Sequence, residues 1–183
     1  MTPEEVIARA RSQIGLGTVY KLGGGKTVPS GSTCHDEFNG CDCSAFVCWV
    51  LKMRKYQGEE FWWLNKVNGG WYNTDGIWVD ARGMAEDVGP LYTGCFTEID
   101  EPKPGCIAVY PAEWISKIAG PEIGHIGIVT EVTDFANWKI IHCSSGNYRG
   151  FQDAIRETEN NSFINKAALL FAWPSSVRPV EEV

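Results

Sequence analysis

The chain has 183 residues, of which 44% are hydrophobic and 21% are charged, and its formal net charge at pH 7 is -7. This composition predicts one folded domain over residues 1–183, because disordered chains lack the apolar content that offsets chain entropy. The acidic charge, without any run of Lys and Arg, excludes the dense basic surface that a nucleic-acid partner requires. No segment approaches the ~20 apolar residues of a spanning helix, so membrane insertion is excluded as well.

The first residues predict a short helix. Thr2 suits the N-cap, Pro3 suits the first helical position, and Glu5 completes a capping box. Gly15 and Gly17 end the apolar periodicity. The same stretch is acidic where a signal peptide is basic, and no apolar segment follows it. We therefore expect cytoplasmic synthesis without an export signal. If the target lies outside the cell, delivery by a phage or a specialised secretion system is expected.

Three cysteines lie close together in the stretch NGCDCSAFVCWVL, residues 39–51. A zinc site is disfavoured, because the Cys34-His35 pair with Cys41-x-Cys43 lacks the paired spacings of structural zinc sites. The chain has seven cysteines, an odd number, so at least one has no partner within the chain. Without an export signal, reduced thiols are expected.

A buried helix is predicted from the helical spacing of apolar residues between Cys43 and Tyr56, with its start at Asp42 or Cys43. Cys48 lies inside this helix and Cys106 begins a strand, so both are expected to be small apolar fillers. Cys43 differs because the first turn of a helix favours a thiolate, and its free N–H groups can bind an oxyanion. Cys43 is therefore the candidate nucleophile.

An aromatic-rich insertion is expected over about residues 57–100, with a short helix near residues 81–87. Its tryptophans fit either additional core or a roof over a substrate cleft, because aromatic residues dominate both. The tryptophans concerned are Trp62, Trp63, Trp71 and Trp78.

Short β-rich runs follow, namely CIAVY, HIGIVTEV, WKIIHCSS and ALLFAWP, and they predict an antiparallel sheet. Helices before a sheet favour the α+β class. A hairpin turn at Thr133 and Asp134 would place His125 directly opposite His142, with both side chains on one face. A shift of one residue would place them on opposite faces.

Two paired histidines suit a general base and the group that orients it. The second imidazole forms a hydrogen bond with one ring nitrogen of the first. The other nitrogen of the first ring then faces a thiol. Cys43, His125 and His142 would form a Cys-His-His triad. His35 lies in a Gly-rich loop without such a companion and is expected at the surface.

Several motifs in chain order resemble those of the NlpC/P60 cysteine peptidases. DCSAFV resembles their D-C-S-G-F-V nucleophile motif, and GHIGIV resembles their G-H-V-G-I-Y strand. TVYKLGGG is similar to their P-Y-x-x-G-G segment, and His142 in IIHCSSG falls where they carry a third polar residue. The resemblance covers the chain from about Thr2 to the last strand.

This resemblance implies a papain-like α+β fold, in which a helix with the nucleophile packs on a sheet with the histidines. It also implies hydrolysis of amide bonds in bacterial cell-wall peptides, typically the bond from γ-D-glutamate to a diamino acid. By position, Cys43 would be the nucleophile, His125 the base and acid, and His142 the orienting residue.

Three further roles follow from the resemblance alone. Tyr20 would line the pocket and donate toward the oxyanion, while Asp42 and Ser44 would bind the free amine of a stem peptide. The chain departs from the family where Ala45 replaces the usual Gly and where Cys106 stands in place of the frequent Asp. Only the long insertion is expected to alter which substrate enters.

The sequence thus predicts a cysteine peptidase or amidase that needs no cofactor and acts on a peptidoglycan stem peptide or a related small amide. Two alternatives stay open. One is an amidase or acyltransferase that uses the same triad on another substrate. The other is a cell-wall or partner-binding module with a vestigial triad, although the presence of all three triad residues weighs against it.

Overall fold

A computed structural model describes residues 1–54, 56–57, 77–78, 80–88, 95–111, 113–116, 120–122 and 124–177. Most of the expected insertion lies outside the described residues. Trp62, Trp63 and Trp71 fall outside them, and only the backbone of Trp78 is described. The role of these tryptophans, in core or cleft, therefore stays a prediction.

The described chain contains both helices and strands, with a run of consecutive strands between its last two α-helices. Its α-helices are α1 (Pro3–Arg11), α2 (Cys43–Val50), α3 (Ala81–Val88) and α4 (Ser145–Phe151). Its strands are β1 (Val19–Tyr20), β2 (Gly40–Cys41), β3 (Tyr56–Gln57), β4 (Ile77–Trp78), β5 (Phe96–Ile99), β6 (Ile107–Tyr110), β7 (Glu113–Ser116), β8 (Gly120–Glu122), β9 (His125–Val132), β10 (Trp138–Cys143), β11 (Ile155–Glu159) and β12 (Leu170–Pro174). A 3-10 helix, Asn160–Ser162, follows β11. No helix in the described part is long and apolar enough to cross a membrane.

A six-stranded antiparallel sheet forms the centre of the described structure, in the strand order β11-β10-β9-β6-β12-β5. The α+β class expected from the sequence is confirmed. All four β-rich runs became strands of this sheet, and the expected helix near residues 81–87 is α3. Strands β5 and β11 were not predicted, because FTEI and IRETE carry polar residues that only their pairing with β12 and β10 places in a sheet.

Both faces of the sheet carry apolar residues. One face, with Ile126, Ile128 and Ile141, packs against the helices and forms the larger cluster. The other face, with Val129 and Ile140, packs around Phe163 in a smaller cluster. Burial on both faces matches the nearly continuous apolar pattern of β9 and β10. A strand with one solvent-exposed face would instead alternate apolar and polar residues.

Helix α1 begins as its sequence predicts. The Thr2 hydroxyl accepts from the Glu5 N–H at 3.3 Å, and the Glu5 carboxylate accepts from the Thr2 N–H at 2.9 Å, which completes the capping box. Later in α1, the Arg9 guanidinium donates to the Trp49 and Val50 carbonyls at 2.8 and 3.0 Å. These two carbonyls belong to the last turn of α2, where the regular i+4 donors are missing, so Arg9 joins the two helices.

Helix α2 begins at the expected residue and is shorter than expected. It ends at Val50 because Lys52 adopts a left-handed conformation with a φ of 58°. The Lys52 N–H then bonds the Trp49 carbonyl at 3.2 Å, and the Met53 N–H bonds the Cys48 carbonyl at 2.8 Å. This pair of bonds is a Schellman motif, which ends a helix without a glycine here.

The β9–β10 hairpin departs from the predicted register. Ile141 pairs with Ile128, so the register extends to place His142 opposite Gly127 rather than opposite His125. The expected direct pairing is therefore wrong by two residues. The two histidines still share a face, because side chains alternate with a period of two and a shift of two preserves the face.

The turn explains the difference in register. The strands are joined by residues 133–137, in which the Asp134 carboxylate accepts from the Ala136 and Asn137 backbone N–H groups. This Asx-type arrangement centres the turn beyond the predicted position. The turn shifts the pairing by three residues, and a bulge between Lys139 and Ile140 takes back one of them, which leaves the net shift of two.

Candidate active site

Cys43 is the first residue of α2 and is almost completely buried, with 5% of its surface exposed. Asp42 caps the helix: its Oδ1 accepts from the Ala45 N–H at 2.7 Å and from the Ser44 hydroxyl at 2.9 Å. Its Oδ2 accepts from the Gly23 N–H at 2.9 Å. The carboxylate thus joins the glycine loop to the helix start and holds Cys43 at the positive end of the helix.

Asp42 and Ser44 are both 3% exposed and hydrogen-bond each other. The carboxylate in the described structure is used to shape the start of α2. Their expected contact with a substrate amine stays a prediction.

Tyr20 lies in β1, which pairs in parallel with β2 just before the helix. Burial of the phenol raises its pKa, and the nearby Cys43 and Asp42 raise it further. The phenol is therefore protonated at neutral pH and remains a hydrogen-bond donor beside Cys43. This position agrees with a pocket role for Tyr20, which stays a prediction.

His125 and His142 form a direct hydrogen bond. His125 Nε2 lies 2.7 Å from His142 Nδ1, and the ring centroids are 4.9 Å apart with the planes nearly perpendicular. His142 Nε2 lies 3.1 Å from the Thr158 hydroxyl on β11. The Asn147 side chain donates to the His142 carbonyl at 3.2 Å, which holds the backbone of this strand end.

Phe163 encloses both imidazoles. Its ring centroid is 5.2 Å from that of His125 and 5.6 Å from that of His142. Burial, together with the nearby His142 and Lys166, lowers the pKa of His125 to about 3. Burial lowers the pKa of His142 to about 4. Both rings are therefore neutral near pH 7, which is the state a general base requires before it takes a proton.

The start of α2 meets the end of β10. The Cys143 thiol, next in sequence to His142, donates to the Cys41 carbonyl at 3.3 Å, and Cys41 is two residues before Cys43. Helix α2 packs on both β9 and β10. The histidines are the first residue of β9 and the last but one of β10, so they lie at this same end of the hairpin. The structure joins the two histidines directly, whereas contact between Cys43 and His125 stays a prediction.

The remaining cysteines of the cluster are buried. The Cys41 and Cys34 sulfurs are 3.7 Å apart, and hydrogen bonding to Cys41 together with burial raises the pKa of Cys34. Burial, with the neighbouring Cys41, raises the pKa of Cys143. Cys48 and Cys106 are fully buried, as fillers would be, and burial raises the pKa of Cys106 to about 12. The raised pKa values of Cys34, Cys106 and Cys143 make these three thiols poor nucleophiles.

His35 takes no part in the hydrogen bond of the histidine pair. His35 is half-buried, and its Nδ1 lies 3.1 Å from the Asp36 carbonyl. Sequence reasoning missed Thr158 and Phe163 because neither belongs to a motif. The last four residues of IRETE are polar, so no apolar alternation marks Thr158 as a strand residue, and nothing local connects it to His142.

A helix that starts with a cysteine and packs on an antiparallel sheet with paired histidines defines the class of papain-like α+β folds, which confirms the papain-like resemblance seen in the sequence. The chain belongs to the CHAP domain family, whose model matches residues 34–147. CHAP domains have papain-like cysteine/histidine amidase folds. The matched range contains Cys43, His125 and His142 but not Tyr20 or Thr158.

One solved structure with a similar fold is described as the crystal structure of Ly7917 with the hydrolyzing product of MDP. It matches with 17% identity and a TM-score of 0.50, over 95% of this chain and 63% of the Ly7917 chain. At this identity the likeness shows the fold, and this chain spans less than two thirds of Ly7917. No curated protein matches the sequence.

Proposed function

We propose that the chain is a cysteine hydrolase that cleaves an amide bond in the stem peptides of peptidoglycan. The observation that carries this proposal is the His125–His142 hydrogen bond of 2.7 Å at the end of the hairpin that receives helix α2. A pair of neutral imidazoles, the half-buried His125 and the buried His142, supplies a base and its orienting partner. No simple packing requirement explains two polar rings facing each other in an apolar cluster.

The proposed reaction begins with proton transfer from the Cys43 thiol to His125, which leaves the S–H electron pair on sulfur. The thiolate attacks the amide carbon, and the first N–H groups of α2 stabilise the oxyanion, with Tyr20 as an additional donor. The intermediate collapses as His125 gives its proton to the leaving amine, so a thioester remains on Cys43. Water, deprotonated by His125, then hydrolyses the thioester and restores the thiol.

The cell-wall substrate is supported by the CHAP family match and by the fold shared with Ly7917, whose structure holds a product of MDP. An NlpC/P60-type cleavage after γ-D-glutamate is the finer form of this proposal, based on the motif resemblance. The acidic chain, without a basic run, also agrees with a substrate other than nucleic acid.

The test is incubation of the chain with purified peptidoglycan, followed by mass spectrometry of the soluble fragments. We expect new free amine ends with the wild-type chain and none with Cys43→Ala. Cys48→Ala is the matched control, because Cys48 lies in the same helix and is also buried, but stands outside its first turn. It should retain activity.

Three results would redirect the proposal. Products that carry a new acyl linkage would indicate an acyltransferase. Binding to peptidoglycan without cleavage would indicate a binding module. Cleavage that survives Cys43→Ala would show that another group is the nucleophile.

A further inference from the structure

A chain of three hydrogen bonds runs from the sheet edge to His125. The Thr158 hydroxyl donates to the Glu159 carbonyl at 3.0 Å. The same hydroxyl oxygen lies 3.1 Å from His142 Nε2, and His142 Nδ1 lies 2.7 Å from His125 Nε2. The first of these bonds determines the direction of the other two.

The directions follow from counting protons. A hydroxyl has one proton, and the Glu159 carbonyl can only accept, so the Thr158 oxygen must accept from His142 Nε2–H. A neutral His142 then has a bare Nδ1, which accepts from His125 Nε2–H. His125 Nδ1 is consequently left with a lone pair. A proton can be taken up only at such a nitrogen.

The opposite direction would disable the base. If Thr158 donated to His142 Nε2, the His142 proton would be at Nδ1 and would point at His125 Nε2. His125 would then carry its proton at Nδ1, where the thiol proton must arrive. The tautomer of His125 therefore depends on a hydroxyl that is two hydrogen bonds away.

We propose that Thr158 is a positioning residue that sets the tautomers of both histidines, so that His125 Nδ1 is the free base that faces the nucleophile. This inference rests on the proposed function for its catalytic meaning, although the tautomers themselves are independent of any substrate.

The position of Thr158 follows from the β10–β11 register. Arg156 pairs with His142 and Thr158 pairs with Ile140, so Thr158 is the diagonal neighbour of His142 on the same face. Five consecutive pairs fix this register. His142 thus lies between two diagonal partners, His125 from one neighbouring strand and Thr158 from the other.

A neutral hydroxyl at the end of the chain also matters for the acid step. After His125 takes the thiol proton, its Nε2–H still donates to a neutral His142, and Thr158 adds no negative charge to stabilise the cation. Besides burial, the positive charge of Lys166 lowers the pKa of His125 and so opposes its protonation. Protonated His125 is therefore a strong acid toward the leaving amine.

The decisive experiment reads tautomers rather than turnover. Long-range ¹H–¹⁵N NMR spectra distinguish Nδ1–H from Nε2–H imidazoles, and the chain has three histidines. We expect His125 and His142 as Nε2–H tautomers in the wild type. His35 is an internal reference of the opposite kind, because its Nδ1 faces the Asp36 carbonyl, which can only accept.

Two substitutions at Thr158 separate the hydroxyl from the packing. Thr158→Val keeps the shape and the β-branch but removes the hydroxyl, so we expect His142 to move toward the Nδ1–H form. Thr158→Ser keeps the hydroxyl and should preserve the wild-type spectrum. His35 should be unchanged in both variants. An Nδ1–H His142 in the wild type, or identical tautomers in Thr158→Val, would overturn the proposal.

Activity gives a second readout. Since a wrong tautomer in a catalytic triad costs up to ~10⁴-fold in kcat, we expect Thr158→Val to lower kcat by roughly 10- to 100-fold with little change in KM, and Thr158→Ser to restore it. Thr97→Val, on the exposed face of β5 at the far edge of the sheet, is the matched control and should be neutral. Wild-type kcat in Thr158→Val would count against the role.

The two proposals fail in different ways. If the wild type cleaves no peptidoglycan, the proposed function is wrong, and the NMR tautomers still decide whether Thr158 sets the ring states. If the wild type is active and the spectra do not respond to Thr158→Val, only the inference about Thr158 is wrong.

Discussion

At the scale of single residues, the chemistry of this chain depends on how seven similar thiols are differentiated. Position relative to α2 separates Cys43 from the rest, because it alone among the described cysteines begins a helix. Burial differentiates the others in the opposite direction, as the raised pKa values of Cys34, Cys106 and Cys143 show. Reactivity and exposure therefore need not follow the same order.

Limiting iodoacetamide at pH 7 tests this order. Cys95 is half-buried and more exposed than Cys43, so exposure alone predicts that Cys95 is alkylated first. We expect Cys43 to be labelled first, because a positioned base and a helix N-terminus generate its thiolate. Peptide mapping by mass spectrometry measures the ratio.

His125→Ala provides the contrast within the same sample. It should slow Cys43 labelling by roughly tenfold or more, since a positioned general base is worth ~10²–10⁴ in rate. Cys95 labelling should be unaffected. Equal slowing at both cysteines, or labelling of Cys95 before Cys43 in the wild type, would argue against a Cys43–His125 pair.

At the scale of elements, helix α2 is held against the preceding glycine loop more tightly than its sequence alone indicates. Gly25 has a φ of 106°, and a Cβ there would overlap the Cβ of Ala45 and approach the Cys41 sulfur at 3.3 Å. Ala45, which replaces the glycine of the related motif, is thus accommodated by Gly25 on the facing loop. The space between the loop and the helix holds one Cβ, and that Cβ belongs to Ala45.

Gly25→Ala should therefore destabilise the fold by about 2–5 kcal/mol, as the sum of overpacking of ~1–3 kcal/mol and left-handed strain of ~1–2 kcal/mol. Urea denaturation measures the free energy of unfolding. Gly150→Ala is the control: it lies in α4 with open space around it and should be neutral or stabilising by up to ~1 kcal/mol.

Ala45→Gly isolates the steric part of that effect. Combined with Gly25→Ala, it should recover the overpacking component and leave the backbone strain, so the double-mutant cycle has a non-zero coupling energy. Strict additivity would mean that Gly25 and Ala45 do not compete for space.

At the scale of the whole molecule, two apolar clusters enclose one sheet, and the histidine pair is a polar inclusion in the smaller cluster. His125 and His142 are kept neutral by this environment, with pKa values of about 3 and about 4. In the unfolded chain the same groups titrate near 6.5. The global stability is therefore linked to pH through the site.

The sign of this linkage is fixed by which state binds more protons. Above pH ~8 both states are neutral and the histidines contribute almost no slope. As pH falls from about 6.5 toward 4, the unfolded chain binds protons that the folded chain excludes, so stability falls. The limit is ~1.4 kcal/mol per pH unit for each histidine.

Urea denaturation between pH 7.5 and 5 should therefore show a smaller loss of stability for His142→Gln than for the wild type. Both proteins contain the same carboxylates. The difference between their slopes of stability against pH therefore reports the titration of His142. Parallel curves below pH 6.5 would mean that His142 is protonated in the folded state. Between pH ~8 and ~9, where the histidines are neutral in both states, the two slopes should coincide, which serves as the control.

The local features of this protein were determined by its sequence. A capping box, an aspartate N-cap and a run of apolar residues each act over a few positions, so the starts of α1 and α2, the position of Cys43 and the α+β class could be predicted. The shared face of the histidines could be predicted as well, because face depends only on whether a register shift is even or odd.

Only the tertiary structure decided the rest. The diagonal arrangement of His125 and His142 depended on an Asp134 turn and a bulge, which move register by single residues without changing the apolar pattern. Thr158 and Phe163 reached the histidines through strand pairing and core packing, and no local pattern encodes those long-range contacts. These contacts depend on which buried surfaces pack together, and packing is a property of the folded chain as a whole.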